Sequence, residues 1–277
     1  AAAARLLWQE FATDSPKGTT SNPKVPRILL AGDGRFLPEL LRVAFAQCHY
    51  PFVGSPEVVV VVPNRDSVAR RFPLQHPQLD QVAKVNVVER TSAELARLEL
   101  GGLVEKAGFD LVFVACHDDL DTLGMAHHLA QQGPASAARV VACLRPSTNL
   151  KRLLPAKQLI GRVEVRDLAE LGCHPDVLLH GALDREARAI HERYVAAETA
   201  KGLNSRENPA LVSWENLPES LRQANRFQAD HVPVKQRALS GSRSAAMQEQ
   251  LAEIEHRRWA AEKILAGWRH GERRDDE

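Results

Sequence analysis

Short apolar runs alternate with amphipathic stretches along the first two thirds of the chain. Arg27–Ala31 (RILLA) leads straight into Gly32 and Gly34, and Leu37–Cys48 then carries apolar residues at helical spacing. Val58–Val62 is an unbroken valine run, Val85–Val88 is a weaker third candidate, and Asp110–Ala115 (DLVFVA) and Arg139–Leu144 (RVVACL) are two more. Val163–Val165 marks a sixth strand, and helical patterns fall over Ala93–Ala107 and Leu120–Gln132. Strands this short, apolar on both faces and alternating with helices, predict the α/β class: a doubly wound, mostly parallel, Rossmann-like sheet.

After Asp184 strand-like runs cease, which predicts a small α-helical domain behind the sheet. The segment DREARAIHERYVAAETAKG places Ala187, Ile190, Tyr194 and Ala197 on one helical face, and GLNSRENP breaks the pattern. Residues 208–239 read as a loop and a long polar helix with Pro218 at its start. Over 251–268, Leu251, Ile254, Ala261, Leu265 and Trp268 share one stripe, and Gly267 marks the helix end. Arg258 lies in the same stripe, so it must snorkel or meet an acid. Three parts follow: residues 1–25 as an N-terminal helix and linker, 26–202 as the sheet domain, and 203–277 as the helical domain.

Charge and cysteine usage narrow the function. The 277 residues hold 36 Lys and Arg against 35 Asp and Glu, so no basic field gathers nucleic acid and no such partner is expected. A hydrophobic share of 44% is enough for a real core. Cys48, Cys116, Cys143 and Cys173 form no C-x-x-C pair and read as reduced thiols of a cytoplasmic protein. No run reaches the roughly 18 apolar residues of a membrane span, and the first residues lack the basic start and long apolar core of a signal peptide. The start without methionine and the end in mid-motif suggest a piece of something longer, such as the cytosolic portion of a membrane protein.

Two places carry candidate chemistry. The order strand, G-x-G, helix at Gly32, Asp33, Gly34 and Arg35 lets a backbone approach a phosphate, although Leu37 stands where a third glycine would be. Where an acid after the second strand would meet a ribose, the chain offers Pro63, Asn64 and Arg65, with Asp66 slightly late; Asn64 or Asp66 could still touch a ribose, and Arg65 would suit a phosphorylated one. The alternative is a turn that only packs helix on strand. In CHDDLD (116–121) the acids, with His127 and His128, could be metal donors, but acids at a helix start favour capping. On the last helix, Trp259 sits off the apolar stripe among Glu255, His256 and Lys263, where it offers a π-face to a planar base or a cation, or else packs against a neighbouring helix. Asn225, Arg226, Asp230 and His231 are polar residues that need partners.

Residues 26–200 resemble the TrkA-N (KTN, regulator-of-potassium-conductance) Rossmann domains of bacterial potassium-transport regulators. The resemblance is carried by DLVFVACHDDLDTLGMAHHLAQ and RVVACLRPSTNLKRLL. It implies a homodimeric, nucleotide-responsive domain whose ligand, NAD or another adenine nucleotide (ATP, ADP, ADP-ribose type), lies on the glycine turn and beside Ala115, Cys116, His117 and Asp118. EHRRWAAEKILAGWRHGERRDD and residues 208–239 resemble the ryanodine-receptor repeat (RyR) domain. That implies an adenine nucleotide stacked on Trp259, with His256, Trp268 and Arg269 nearby and Asn225, Arg226, Asp230 and Glu255 as further candidate ligand contacts. Together they imply a ligand sensor acting on an attached or associated membrane ion channel or transporter of the potassium type. Such a sensor needs only differential affinity between two states. An enzyme acting on NAD-type nucleotides, with Glu255 or His256 as general base, and an interaction scaffold with vestigial pockets are the alternatives; no catalytic set is evident.

Overall fold

The computed structural model describes residues 2–11, 25–51, 53–62, 74–90, 94, 108–131, 138–145, 159–160, 162–178, 181–241 and 244–269. Within them the strands are β1 (Arg27–Ala31), β2 (Glu57–Val62), β3 (Lys84–Glu89), β4 (Leu111–Val114), β5 (Arg139–Leu144), β6 (Leu159–Ile160) and β7 (Val163–Asp167). The helices are α1 (Ala2–Phe11), α2 (Leu37–Gln47), α3 (Asp119–Gln131), α4 (Leu168–Gly172), α5 (Pro175–Leu178), α6 (Arg185–Ala200), α7 (Glu219–Asp230), α8 (Val232–Gly241) and α9 (Ala245–Leu265). Apart from residue 94, the helix expected over Ala93–Ala107 lies outside the described residues.

The strands form one sheet in the order β3-β2-β1-β4-β5-β7-β6. Six of them run parallel, and β6 adds an antiparallel edge through Ile160↔Val163. Counting only parallel strands, this is the 3-2-1-4-5-6 order of a doubly wound α/β sheet, whose direction of winding reverses between β1 and β4. Each central strand is buried on both faces because its side chains alternate between two cores. Ile28, Leu30, Val58, Val60, Phe113 and Val141 point into one core, and Leu29, Ala31, Val59, Val61, Val112 and Val140 into the other. The edge strand β3 is only partly buried, which explains its weaker hydrophobic signature.

The second core is closed by Ala126, Leu129 and Ala130 of α3. The first is thicker. Helix α2 is apolar almost all round, with Leu37, Leu40, Leu41, Val43, Ala44, Phe45 and Ala46 all buried. Its outer side is covered by Ala261, Ile264 and Leu265 of α9 and by Phe227 and Val234, which join the same cluster. A helix of that composition requires such a cover. The N-terminal helix belongs to this core too: Leu7 and Trp8 are buried in it, and the Trp8 ring lies 6.1 Å from Phe113.

The expected boundary near residue 203 runs through continuous packing. Ala187 and Ile190 of α6 share a small cluster with Trp214, Leu217 and Ala229 from beyond it. The long polar helix expected over 208–239 is broken at His231 into α7 and α8. Pro218 sits one residue outside α7 rather than at its first position. Helix α9 begins earlier than its stripe suggested, at Ala245, with the Ser244 hydroxyl accepting from the Met247 N–H. It ends as expected: Gly267, at φ 88°, donates to Ile264 O, and Trp268 N donates to Lys263 O at 2.9 Å, a Schellman closure. Among the described residues no helix is long and apolar enough to cross a membrane.

Candidate functional site

The carboxyl ends of β1 and β4 meet at the reversal point of the sheet, where a doubly wound fold leaves its crevice. Gly32 N donates to Val61 O at 3.0 Å and Gly34 N to Ala115 O at 2.9 Å, so the turn lies flat against the end of β4. A Cβ on Gly32 would stand 2.2 Å from Ala115 O, and one on Gly34 would stand 2.7 Å from it. Gly32 also has φ 124°, a conformation that side chains rarely tolerate. Both glycines are therefore demanded by the close approach of two backbones.

The polar side chains around this turn are set by backbone N–H groups. Asp33 Oδ1 accepts from His117 N at 2.7 Å, and Asp118 Oδ1 accepts from Leu120 N at 2.8 Å, capping α3. Asp119, buried, accepts from Arg145 N at 3.0 Å and so ties the start of α3 to the end of β5. Cys116 N donates to the Thr122 hydroxyl. The Cys116 thiol is pushed up to about 12, first by burial and then by the Asp33 charge, with the Thr122 hydroxyl opposing. Burial also raises Cys143. Both therefore stay protonated and act as apolar wall rather than as nucleophiles.

Beside the turn lies a cavity of about 280 Å³, lined by Gly34, Arg35, Phe36, Ala115, Cys116, His117, Cys143, Arg145 and Leu168. The sequence singles out Gly34, Arg35 and Ala115–His117 and misses Phe36, Cys143, Arg145 and Leu168. Arg145 follows β5 directly, and that position at a strand end was its only local signal. Its Nε is buried without a hydrogen-bond partner, which costs about 1–3 kcal/mol or more for a charged group. Asn64, Arg65 and Asp66 lie outside the described residues.

The residues expected to form a second site divide into two groups. Asn225, Arg226, Asp230 and Glu255 are engaged in structural bonds. Asn225 Nδ2 donates to Leu221 O; Arg226 holds Asp184 through two bonds of 2.7 Å and also pairs with Glu219. Asp230 accepts from Arg5 at 2.6 and 2.7 Å and from Gln9 at 2.6 Å. One Glu255 oxygen accepts both Nε and Nη2 of Arg258, and the other pairs with Lys235. Burial works to raise the Glu255 carboxyl, but these cations prevail and hold it below its usual range. A carboxylate so occupied is a poor general base. Arg258, at 2% exposure, also bonds Glu262; it thus meets acids instead of snorkelling.

The second group stands outward. Trp259 is 47% exposed and Trp268 42%. Trp268 was expected on the core stripe, but the Gly267 turn carries it off the helix and into solvent. The Lys263 ammonium lies 5.7 Å from the Trp259 ring centre and 5.5 Å from that of Trp268, within cation–π range of both. His256 stacks on Trp259 at 6.0 Å and 26°. Arg269 is exposed beside them in sequence. Among the described residues no group of three or more His, Cys, Asp or Glu is placed to hold a metal ion.

Fold and site together define a doubly wound α/β protein with a crevice at its strand switch point and a helical layer over one face. Compared with known proteins, the chain matches no family model, no curated protein and no solved structure.

Proposed function

We propose that the chain is a ligand-sensing regulatory protein that binds an adenine-type nucleotide (NAD, ATP, ADP or ADP-ribose type) at the β1–β4 switch point without altering it. The supporting observation is the crevice: a glycine turn with no room for side chains opens beside a cavity bearing Arg35, His117 and Arg145. The neighbouring acids Asp33, Asp118 and Asp119 accept from backbone N–H groups and are not among the residues that line the cavity. A protonated Cys116 and an occupied Glu255 weigh against an enzyme. The exposed Trp259–Lys263–Trp268 group favours a second ligand surface, where stacking of a base would contribute about 1–3 kcal/mol. The sequence resemblances supply the rest of the proposal: a cytoplasmic homodimer acting on an attached or associated potassium-type channel or transporter.

Calorimetric titration of the whole chain with ATP, ADP, ADP-ribose, cyclic ADP-ribose and NAD tests this. Saturable heat, with the nucleotide recovered intact, is the expected result. Turnover of the nucleotide would make the chain an enzyme, and no heat from any of the five would favour a scaffold. Gly34 is unsuited as a probe because its replacement strikes backbone, so Arg35→Glu and Trp259→Ala, both at exposed positions, assign the ligand to the crevice or to α9.

A further inference from the structure

The cavity extends from the glycine turn towards the ends of β5 and β7, the side of the switch point away from β2. Arg145 contributes a guanidinium whose Nε is buried without a hydrogen-bond partner, while its backbone is pinned by Asp119. Arg35 contributes a second guanidinium from the glycine turn, and His117 an imidazole; among the described residues no acidic side chain lines the space. Cys143 and Leu168 supply apolar wall.

We infer that this half of the crevice is an anion subsite that takes a phosphoryl group, and that Arg145 selects for it. The inference rests on the nucleotide-binding reading above. Arginines that line a largely apolar space suit an oxyanion better than a neutral ligand, because its paired oxygens match the planar fork of arginine. Two guanidinium groups suit a dianion better than a single carboxylate. An apolar wall excludes water, which strengthens each charge contact. At about 280 Å³ the space is at the small end for a ligand pocket, so it holds a phosphoryl group and a few further atoms while a base and ribose remain outside. The same chemistry is offered by the phosphate tail of a nucleotide or by a free small phosphate.

The test is calorimetry of the full chain with ADP, adenosine and inorganic pyrophosphate, on wild type, Arg145→Gln and Arg145→Lys, with far-UV circular dichroism to verify folding. ADP is expected to bind wild type at least tenfold more tightly than adenosine. Arg145→Gln should weaken ADP ten- to a hundredfold, move adenosine less than twofold, and be partly rescued by Arg145→Lys. With that pattern, displacement of ADP by pyrophosphate extends the subsite to free phosphates, and no displacement confines it to the nucleotide's tail. An Arg145→Gln affinity for ADP within twofold of wild type overturns the subsite and leaves the nucleotide reading standing. If the variants do not fold, wild type decides: ADP no tighter than adenosine overturns the subsite. Heat from none of these compounds overturns the subsite, and the nucleotide reading falls with it if ATP, ADP-ribose, cyclic ADP-ribose and NAD are silent as well.

Discussion

Two glycines of the same chain should respond in opposite directions to the same substitution. Gly32→Ala drives a methyl group to 2.2 Å from the Ala115 carbonyl in an unfavourable φ, and is expected to cost about 2 kcal/mol or more. Gly124→Ala, in α3 with nothing within 4 Å of the new Cβ, should stabilise by up to about 1 kcal/mol. Urea unfolding midpoints of the two variants check both signs. Thiol labelling gives a second test: Cys173 is exposed whereas Cys48, Cys116 and Cys143 are buried, so a maleimide should modify Cys173 first and the others only on unfolding. The glycine turn and Ala115–Asp118 were legible in the sequence because strand, turn and cap signals are local. Arg145 was not, because only the sheet order brings the end of β5 beside the turn. Asp230 and Arg226 were recognised as polar residues needing partners, but the partner of Asp230 is Arg5, at a separation of 225 residues.

Helix α1 is tied to distant parts of the chain by ion pairs as well as by its buried apolar side chains. Arg5 clasps Asp230 of α7 and Glu10 clasps Arg166 of β7, at 2.5 and 3.1 Å, on either side of the buried Leu7 and Trp8. Arg5→Ala strands a buried carboxylate and should destabilise by about 3–5 kcal/mol. Arg5→Met combined with Asp230→Leu removes both charges and should recover most of that loss, as a double-mutant cycle in denaturant would show. The linker chemistry after residue 9 obscured this role, since the anchoring contacts are made to residues far along the chain. The covering layer was less legible: Leu37–Cys48 reads only as apolar at helical spacing, whereas in the fold α2 is buried on most sides and α9 packs over its outer side.

At the scale of the whole molecule, acid should loosen the helical layer from the sheet. His231 Nε2 donates to His49 O at 2.8 Å, and His49 Nε2 donates to Phe45 O at 2.8 Å, deep in the junction of α2, α7 and α8. Burial, above all, lowers His49 to about 4 and His231 to about 3, with Lys235, Arg257 and Arg258 adding to it and Glu255 opposing. Both stay neutral in the fold while the unfolded chain takes up protons near pH 6.5. Stability is therefore complete above that pH and falls progressively below it, until the folded-state values are passed; at pH 5 each histidine accounts for a loss of about 2 kcal/mol. The lowered carboxyls of Asp184, held first by Arg226, and of Glu255 act in the same direction at lower pH. Denaturant unfolding at pH 7.5 and pH 5 should show the fall, and His231→Gln should reduce it. The burial of α1 also sets the order of assembly. A helix made at the start of synthesis packs on α2 and α4 and meets Phe113 with Trp8, but its counter-charge Asp230 arrives only after more than two hundred further residues have been added. The apolar side of α1 can thus dock before synthesis is complete, whereas the charge of Arg5 is matched by Asp230 only by a late, long-range event that locks the helix in place.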